Sequence, residues 1–140
     1  MPNTRASLTL TLLQARESAM RFFRPQLNLH GLTEQQWRVI RILRQQGEME
    51  SHKLARLACI LKPSMSGVLA RLERDGMVRR RKVAEDQRRI LLALTEQGEA
   101  CFQSMSQEME RGYQSIQAQL GEEKLQELLE LLQELKGIKP

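Results

Sequence analysis

Apolar residues recur along this chain mostly at helical spacing, and the recurrences divide it into a short series of elements. Leu8, Leu12, Ala15, Ala19 and Phe22 keep that spacing through a first helix expected from about Thr4 to Leu29, and Pro25 predicts a kink or break within it. Thr33 followed by Glu34, Gln35 and Gln36 has the form of a capping box. A second helix is expected there, turning Trp37, Ile40, Ile42 and Leu43 inward until Gly47 stops it. Glu48-Met49-Glu50 reads as a short link, after which Ser51 is expected to cap a helix with Leu54, Leu57 and Ala58 inward. Lys62-Pro63 opens the next helix, because proline in a first turn pre-sets the backbone; it runs to Asp75 and ends at Gly76. Two short helices joined by a tight turn meet the requirement of a helix-turn-helix.

Beyond Gly76 the period changes. Met77-Val78, the run Arg79-Arg80-Arg81-Lys82, a polar tip from about Ala84 to Gln87, and Ile90 to Leu94 read as the two strands of a hairpin. Thr95 then caps a long helix, Glu96 to about Gln119, with Phe102, Met105, Met109 and Ile116 on one stripe, and Gly121 breaks it. A last helix, Glu122 to Lys136, places Leu125, Leu128, Leu129, Leu132 and Leu135 on one face. The fold class is therefore mainly α with a small β-hairpin, a winged helix-turn-helix. The outermost helices carry apolar stripes with little of their own domain to bury against, and a second copy related by two-fold symmetry is the natural cover.

Composition narrows the function. Apolar residues make up 41% of the chain, which argues against disorder, and aromatics only 4%, which suits Leu-rich helices better than sheets. The apolar runs are too short for a membrane span. Met1 to Leu13 lacks the basic segment, apolar block and small-residue site of a signal peptide. Cys59 and Cys101 make no disulfide framework, which fits a reducing cytoplasm. The net charge of +5 is unevenly spread. Residues 51–89 carry 11 basic against 4 acidic side chains, whereas residues 96–140 carry 4 against 9. A compact basic segment attracts phosphate backbones, although charge runs are also the ordinary surface of a solvated helix.

The arrangement inside that segment favours double-stranded DNA. A helix-turn-helix lays its second helix in the major groove, with side chains at the N-terminal end meeting base edges. On the helix from Lys62 and Pro63 to Asp75, Met65, Val68, Leu69 and Leu72 can face inward, leaving Ser64, Ser66, Gly67, Ala70, Arg71 and Arg74 outside. Ser64 and Ser66 can donate to phosphate or bases, or merely cap the helix; Arg71 can pair with guanine, bind phosphate, or stand solvated. Arg79, Arg80, Arg81 and Lys82 lead into the hairpin tip and Arg88 and Arg89 lead out. In a two-residue period Arg79 and Arg81 share one face and Arg80 and Lys82 the other. Six such cations would repel one another unless a polyanion lay against them, and an arginine at the tip suits a narrow minor groove. Residues 1–140 then form one domain, in which 33–94 bind DNA and the helices of 1–30 and 96–140 make the homodimer.

Leu72-Glu73-Arg74-Asp75-Gly76-Met77-Val78, Asp86-Gln87-Arg88 and Leu94-Thr95-Glu96-Gln97-Gly98 together resemble the MarR family of bacterial regulators over essentially the whole chain. Leu13-Gln14-Ala15-Arg16-Glu17, Phe23-Arg24-Pro25, Leu32 to Arg38 and Ala58 to Ser64 are similar to that family's regulators of homoprotocatechuate (4-hydroxyphenylacetate) degradation operons. The resemblance implies a dimer on a pseudo-palindromic operator, acting as a repressor of an aromatic-compound catabolic operon. It also implies that Arg88 enters the minor groove and that Asp86 orients an arginine, with Arg71 the candidate. Val83 departs from the family where an aspartate is frequent, as does Gly67 where a long polar side chain is.

The resemblance further implies release from DNA by a small aromatic carboxylate of the hydroxyphenylacetate type. A carboxylate in a partly apolar cleft needs a cation. Arg16 is the leading candidate, amid Met20, Phe23 and Trp37, with Arg38, His30 and Ser18 behind it; equally, the aromatics can be core and Arg16 a dimer salt bridge. Cys59, among apolar neighbours, is expected to be buried and inert. His30, His52 and the two cysteines offer no metal spacing, and no catalytic pair or cofactor fingerprint is present, so neither an enzyme nor a cofactor is expected. The rival is a non-catalytic helical module binding acidic protein or RNA.

Overall fold

The computed structural model describes residues 5–140, in the order α1 Leu8–Met20, α2 Arg24–Leu29, α3 Glu34–Gln46, β1 Met49–Glu50, α4 Ser51–Ala58, α5 Lys62–Arg74, β2 Val78–Val83, β3 Asp86–Leu94, α6 Glu96–Leu120 and α7 Glu122–Gly137. Thr4, the expected start of the first helix, lies outside the described residues. Ser7 caps α1, its Oγ accepting from the Leu10 N–H at 3.2 Å. The long first helix is in fact two. The chain turns through Arg21–Phe23 and restarts at Arg24, which puts Pro25 in a first turn, where its missing N–H has no partner to lose.

The chain gathers into two units, one holding Gln26–Gln107 and the other holding the chain up to Pro25 with Glu108–Pro140. In the first, the Thr33 capping box forms as expected: Thr33 Oγ1 accepts from the Gln36 N–H, and Gln36 Oε1 accepts from the Thr33 N–H. Trp37, Ile40 and Leu43 are buried, joined by Val39, while Ile42 is half-buried. The phase of α4 differs from expectation: Leu54, Ala55 and Ala58 point inward and Leu57 outward. Glu50, not Ser51, stands at its N-cap, with no side-chain cap. Cys59 ends α4 in the left-handed region with φ 55° and is exposed, so the expectation of a buried thiol is wrong. Met65, Val68, Leu69 and Leu72 of α5 are all buried.

The supposed link is a strand. Met49 and Glu50 pair with Leu92 and Leu91, giving a three-stranded sheet in the order β1-β3-β2 rather than a lone hairpin. The β2–β3 ladder runs from Val78 opposite Leu94 to Lys82 opposite Ile90. A bulge between Lys82 and Val83 then brings Val83 opposite Asp86. The tip is therefore only Ala84–Glu85, shorter than expected. Thr95 locks sheet to helix: its Oγ1 donates to the Gly76 carbonyl at 2.5 Å and accepts from the Gly98 N–H at 3.0 Å.

In the second unit the later turns of α6 pass so close to Phe22 and Phe23 that a Cβ on Gly112 would lie 2.7 Å from the Phe22 carbonyl oxygen. Met109 and Leu125 are buried there. Leu8, Leu10 and Leu13 of α1 and Leu128, Leu129 and Leu131 of α7 stay between 36% and 59% exposed, more apolar surface than this unit covers. Among the described residues no helix is long and apolar enough to cross a membrane.

Candidate nucleic-acid interface

The α5 helix owes its orientation to its buried side. With Met65, Val68, Leu69 and Leu72 packed down, the opposite side presents Lys62, Pro63, Ser64, Ser66, Gly67, Ala70, Arg71 and Arg74, all exposed. Leu61 at the N-cap offers no side-chain cap, so neither serine is spent as the N-cap residue. Arg71 makes no ion pair among the described residues, and Arg74 has only the neighbouring Asp75, at 3.5 Å.

The strand register sorts the wing charges onto two faces. Met49, Leu92 and Arg80 lie in one row, and Glu50, Leu91 and Arg81 in the next. Met49 and Leu92 are buried, so their side is the core face, along which Arg80 reaches Glu73 of α5. The other face gathers Arg79, Arg81 and Arg89 with Glu48 and Glu50. Arg81 grips Glu48 with two hydrogen bonds of 2.8 and 2.7 Å. The Arg81 hydrogen bond holds the Glu48 carboxyl below its ordinary range against the opposing effect of burial, and the charges of Arg81 and Arg79 add to the lowering. Glu48 in turn raises the pKa of Arg81, and Glu50, accepting from Arg89 Nε, raises that of Arg89. Glu50 Oε2 also lies 3.4 Å from His52 Nδ1.

Four of the six wing cations, Arg80, Arg81, Arg88 and Arg89, thus have carboxylate partners within the chain, and the inference that only a polyanion could relieve their repulsion fails. Arg79 and Lys82 make no ion pair among the described residues. Asp86 does orient an arginine, but it is Arg88: Oδ1 accepts from the Arg88 backbone N–H at 3.1 Å and from its Nε at 3.3 Å. No ion pair joins Asp86 to Arg71. The Arg88 side chain is nonetheless 93% exposed.

Between the start of α5 and the wing lies an open cleft of about 410 Å³, lined by Glu50, His52, Lys62, Ser66, Arg88 and Arg89 over a floor that includes Met65 and Ile90. Glu48, Glu50, Glu73 and His52 are absent from the sequence-derived site. The one available signal was the i, i+2 spacing of Glu48 and Glu50 around an apolar Met49.

The effector candidates fall in different surroundings. Arg16 is about 40% exposed, 3.7 Å from the Glu17 carboxylate, which also accepts from Arg24 at 2.9 Å. Met20 and Phe23 are half-buried, with the Phe23 ring against Gly112. Trp37 is buried and stacks on Phe102 with centroids 5.7 Å apart, while the Arg44 guanidinium lies over the same Phe102 ring. Trp37 therefore has an ordinary core role, whatever else it does. His30 is exposed, and Arg38 is half-buried with its Nε covered and without a hydrogen-bond partner among the described residues. Burial pushes the Cys101 thiol up, away from the reactive thiolate form.

A helix-turn-helix whose second helix bares a polar side next to a cationic β-wing defines a winged-helix DNA-binding regulator. The sequence profile of the MarR family matches residues 32–90. Over 128 residues the chain is 50% identical to the homoprotocatechuate degradative operon repressor of Escherichia coli, covering 91% of this chain and 86% of that protein. Among solved structures it is similar to the transcriptional regulator PA4135 (74% identity, 97% of this chain and 100% of that one, TM-score 0.95). It is also similar to NadR in complex with 4-hydroxyphenylacetate (44% identity, 99% of each chain, TM-score 0.87). The chain belongs to the MarR family of DNA-binding transcription regulators, and these relatives are regulators, not enzymes.

Proposed function

We propose that this protein is a homodimeric repressor that seats α5 in the major groove of a pseudo-palindromic operator and runs its wing along the adjoining minor groove. Lys62, Pro63, Ser64, Ser66, Gly67, Arg71 and Arg74 form the groove-facing edge of α5; Arg79, Arg81, Arg88 and Arg89 form the wing edge, with Asp86 aiming Arg88. The observation that carries this is Arg88 near the outer end of β3: a guanidinium 93% exposed, held by Asp86 and lining one cleft with Lys62 and Ser66 from the bare side of α5. Residues 33–94 bind DNA, and the helices of 1–30 and 96–140 pair with a second copy; the exposed leucines of α1 and α7 support that pairing. The protein works in the cytoplasm, where its DNA lies.

The controlled genes encode aromatic-compound catabolism, and a small aromatic acid such as a hydroxyphenylacetate relieves repression. Support comes from the repressor of a homoprotocatechuate degradative operon and from NadR in complex with 4-hydroxyphenylacetate. Arg16 takes the ligand carboxylate, with Met20 one turn along the same side of α1. A gel-shift series tests the function. A palindromic duplex with half-sites roughly 10 bp apart should be preferred, with affinity falling steeply as salt rises. Equal affinity for random duplex, RNA and polyglutamate would instead indicate an acidic-partner module. Calorimetry against a panel of phenolic acids tests the effector.

A further inference from the structure

Glu50 is the one carboxylate among the residues lining the cleft between α5 and the wing. Phosphates seated there would meet Lys62, Arg88 and Arg89, and a carboxylate at the same place repels them. Glu50 is not a loose surface acid. Its backbone is paired to Leu91 in the sheet, its Oε1 accepts from Arg89 Nε, its Oε2 faces His52 Nδ1 at 3.4 Å, and its side chain is only 24% exposed. A cation held by a carboxylate is partly neutralised already, so a phosphate gains its attraction only by displacing or sharing with that carboxylate.

We propose that Glu50 is a positioning residue, an internal competitor that holds Arg89 back from DNA phosphates until the other operator contacts are made. The proposal rests on the DNA-binding reading of this cleft. Binding to random duplex is almost entirely counterion release, so withholding one cation weakens it by that cation's full share. Operator binding also has base contacts, which can carry the cost of parting Arg89 from Glu50. Glu50 therefore lowers affinity for both duplexes: by the whole energy of its Arg89 pair on the operator, where the pair must part, and by at most that energy on random duplex, where it can stay closed.

The experiment compares parent, Glu50→Gln and Glu50→Gln/Arg89→Gln proteins on operator and random duplexes across a salt series, with thermal melting of each. Glutamine keeps the size and an accepting oxygen while removing the charge. For Glu50→Gln, random-duplex affinity should rise about two- to fivefold per subunit at low salt. The log–log salt slope should steepen by about 0.9 per subunit. Operator affinity should rise at least as much, and the double variant should lose both gains. Glu50→Gln affinity and slope equal to or below the parent's would overturn the proposal and leave Glu50 a sheet-stapling residue, which a lowered melting temperature would register. A gain that survives in the double variant overturns it too, because Arg89 would not be the restrained cation. A parent that binds no duplex at all rejects the DNA-binding reading itself, and this inference with it.

Discussion

Gly67 and Gly98 both sit inside helices, and replacing each with alanine should move stability in opposite directions. On α5, a Cβ at Gly67 has nothing within 4 Å, so Gly67→Ala gains only helix propensity and a less flexible unfolded chain, about 0.5–1 kcal/mol of stabilisation. On α6, a Cβ at Gly98 would lie 2.2 Å from the Met77 carbonyl oxygen and 2.9 Å from Leu94 Cδ2. A carbon needs roughly 3.3 Å from such an oxygen, so about 1 Å of movement is required. Neither side can give it freely. The Met77 carbonyl accepts from the Thr95 N–H at 3.1 Å, and Thr95 Oγ1 bridges Gly76 and Gly98. Overpacking of about 1–3 kcal/mol and a weakened hydrogen bond of about 1 kcal/mol outweigh the propensity gain, leaving Gly98→Ala about 2 kcal/mol less stable. Melting followed by circular dichroism, at one fixed protein concentration because self-association shifts the midpoint, should show a fall of roughly 5–10 °C for Gly98→Ala and a rise of a few degrees for Gly67→Ala. A Gly98→Ala protein that melts at or above the parent would refute the packing argument.

Three further outcomes are expected. Arg88→Ala should weaken operator binding by about 1–3 kcal/mol per subunit while leaving melting unchanged; affinity equal to the parent's in a gel shift would remove Arg88 from the interface. Arg16→Ala should abolish relief of DNA binding by an aromatic acid without harming DNA binding, and undiminished relief in the same assay would move the effector site elsewhere. Because Arg81 holds the Glu48 carboxyl below its ordinary 4.5, the Glu48–Arg81 pair supports the fold above that pH and is lost as pH falls through the lowered value. Denaturant melts of parent and Glu48→Gln should therefore differ at neutral pH and converge in acid; a gap that widens on acidification would contradict this.

Local chemistry was legible in the residues themselves. The Thr33 capping box, the stops at Gly47, Gly76 and Gly121, the Pro63 start of α5 and the four apolar positions beneath it each depend on a few neighbouring residues, and all appear where the pattern put them. Features set by distant segments were not. A two-residue strand has no period to read, and β1 exists because Leu91 and Leu92, some forty positions later, pair with it. The helical phase that turns Ala55 in and Leu57 out depends on which neighbours α4 packs against, and the exposure of Cys59 on the left-handed turn that ends it. Charge shows the same division. The sequence establishes that cations crowd the wing, but Arg81 finds Glu48 across 33 positions and Arg89 finds Glu50 across 39, so a cluster that looks self-repelling is largely neutralised by folding. Short-range torsional and capping preferences write the elements into the chain; the pairing of strands and of opposite charges is a matter of which remote residues folding brings within a few ångströms.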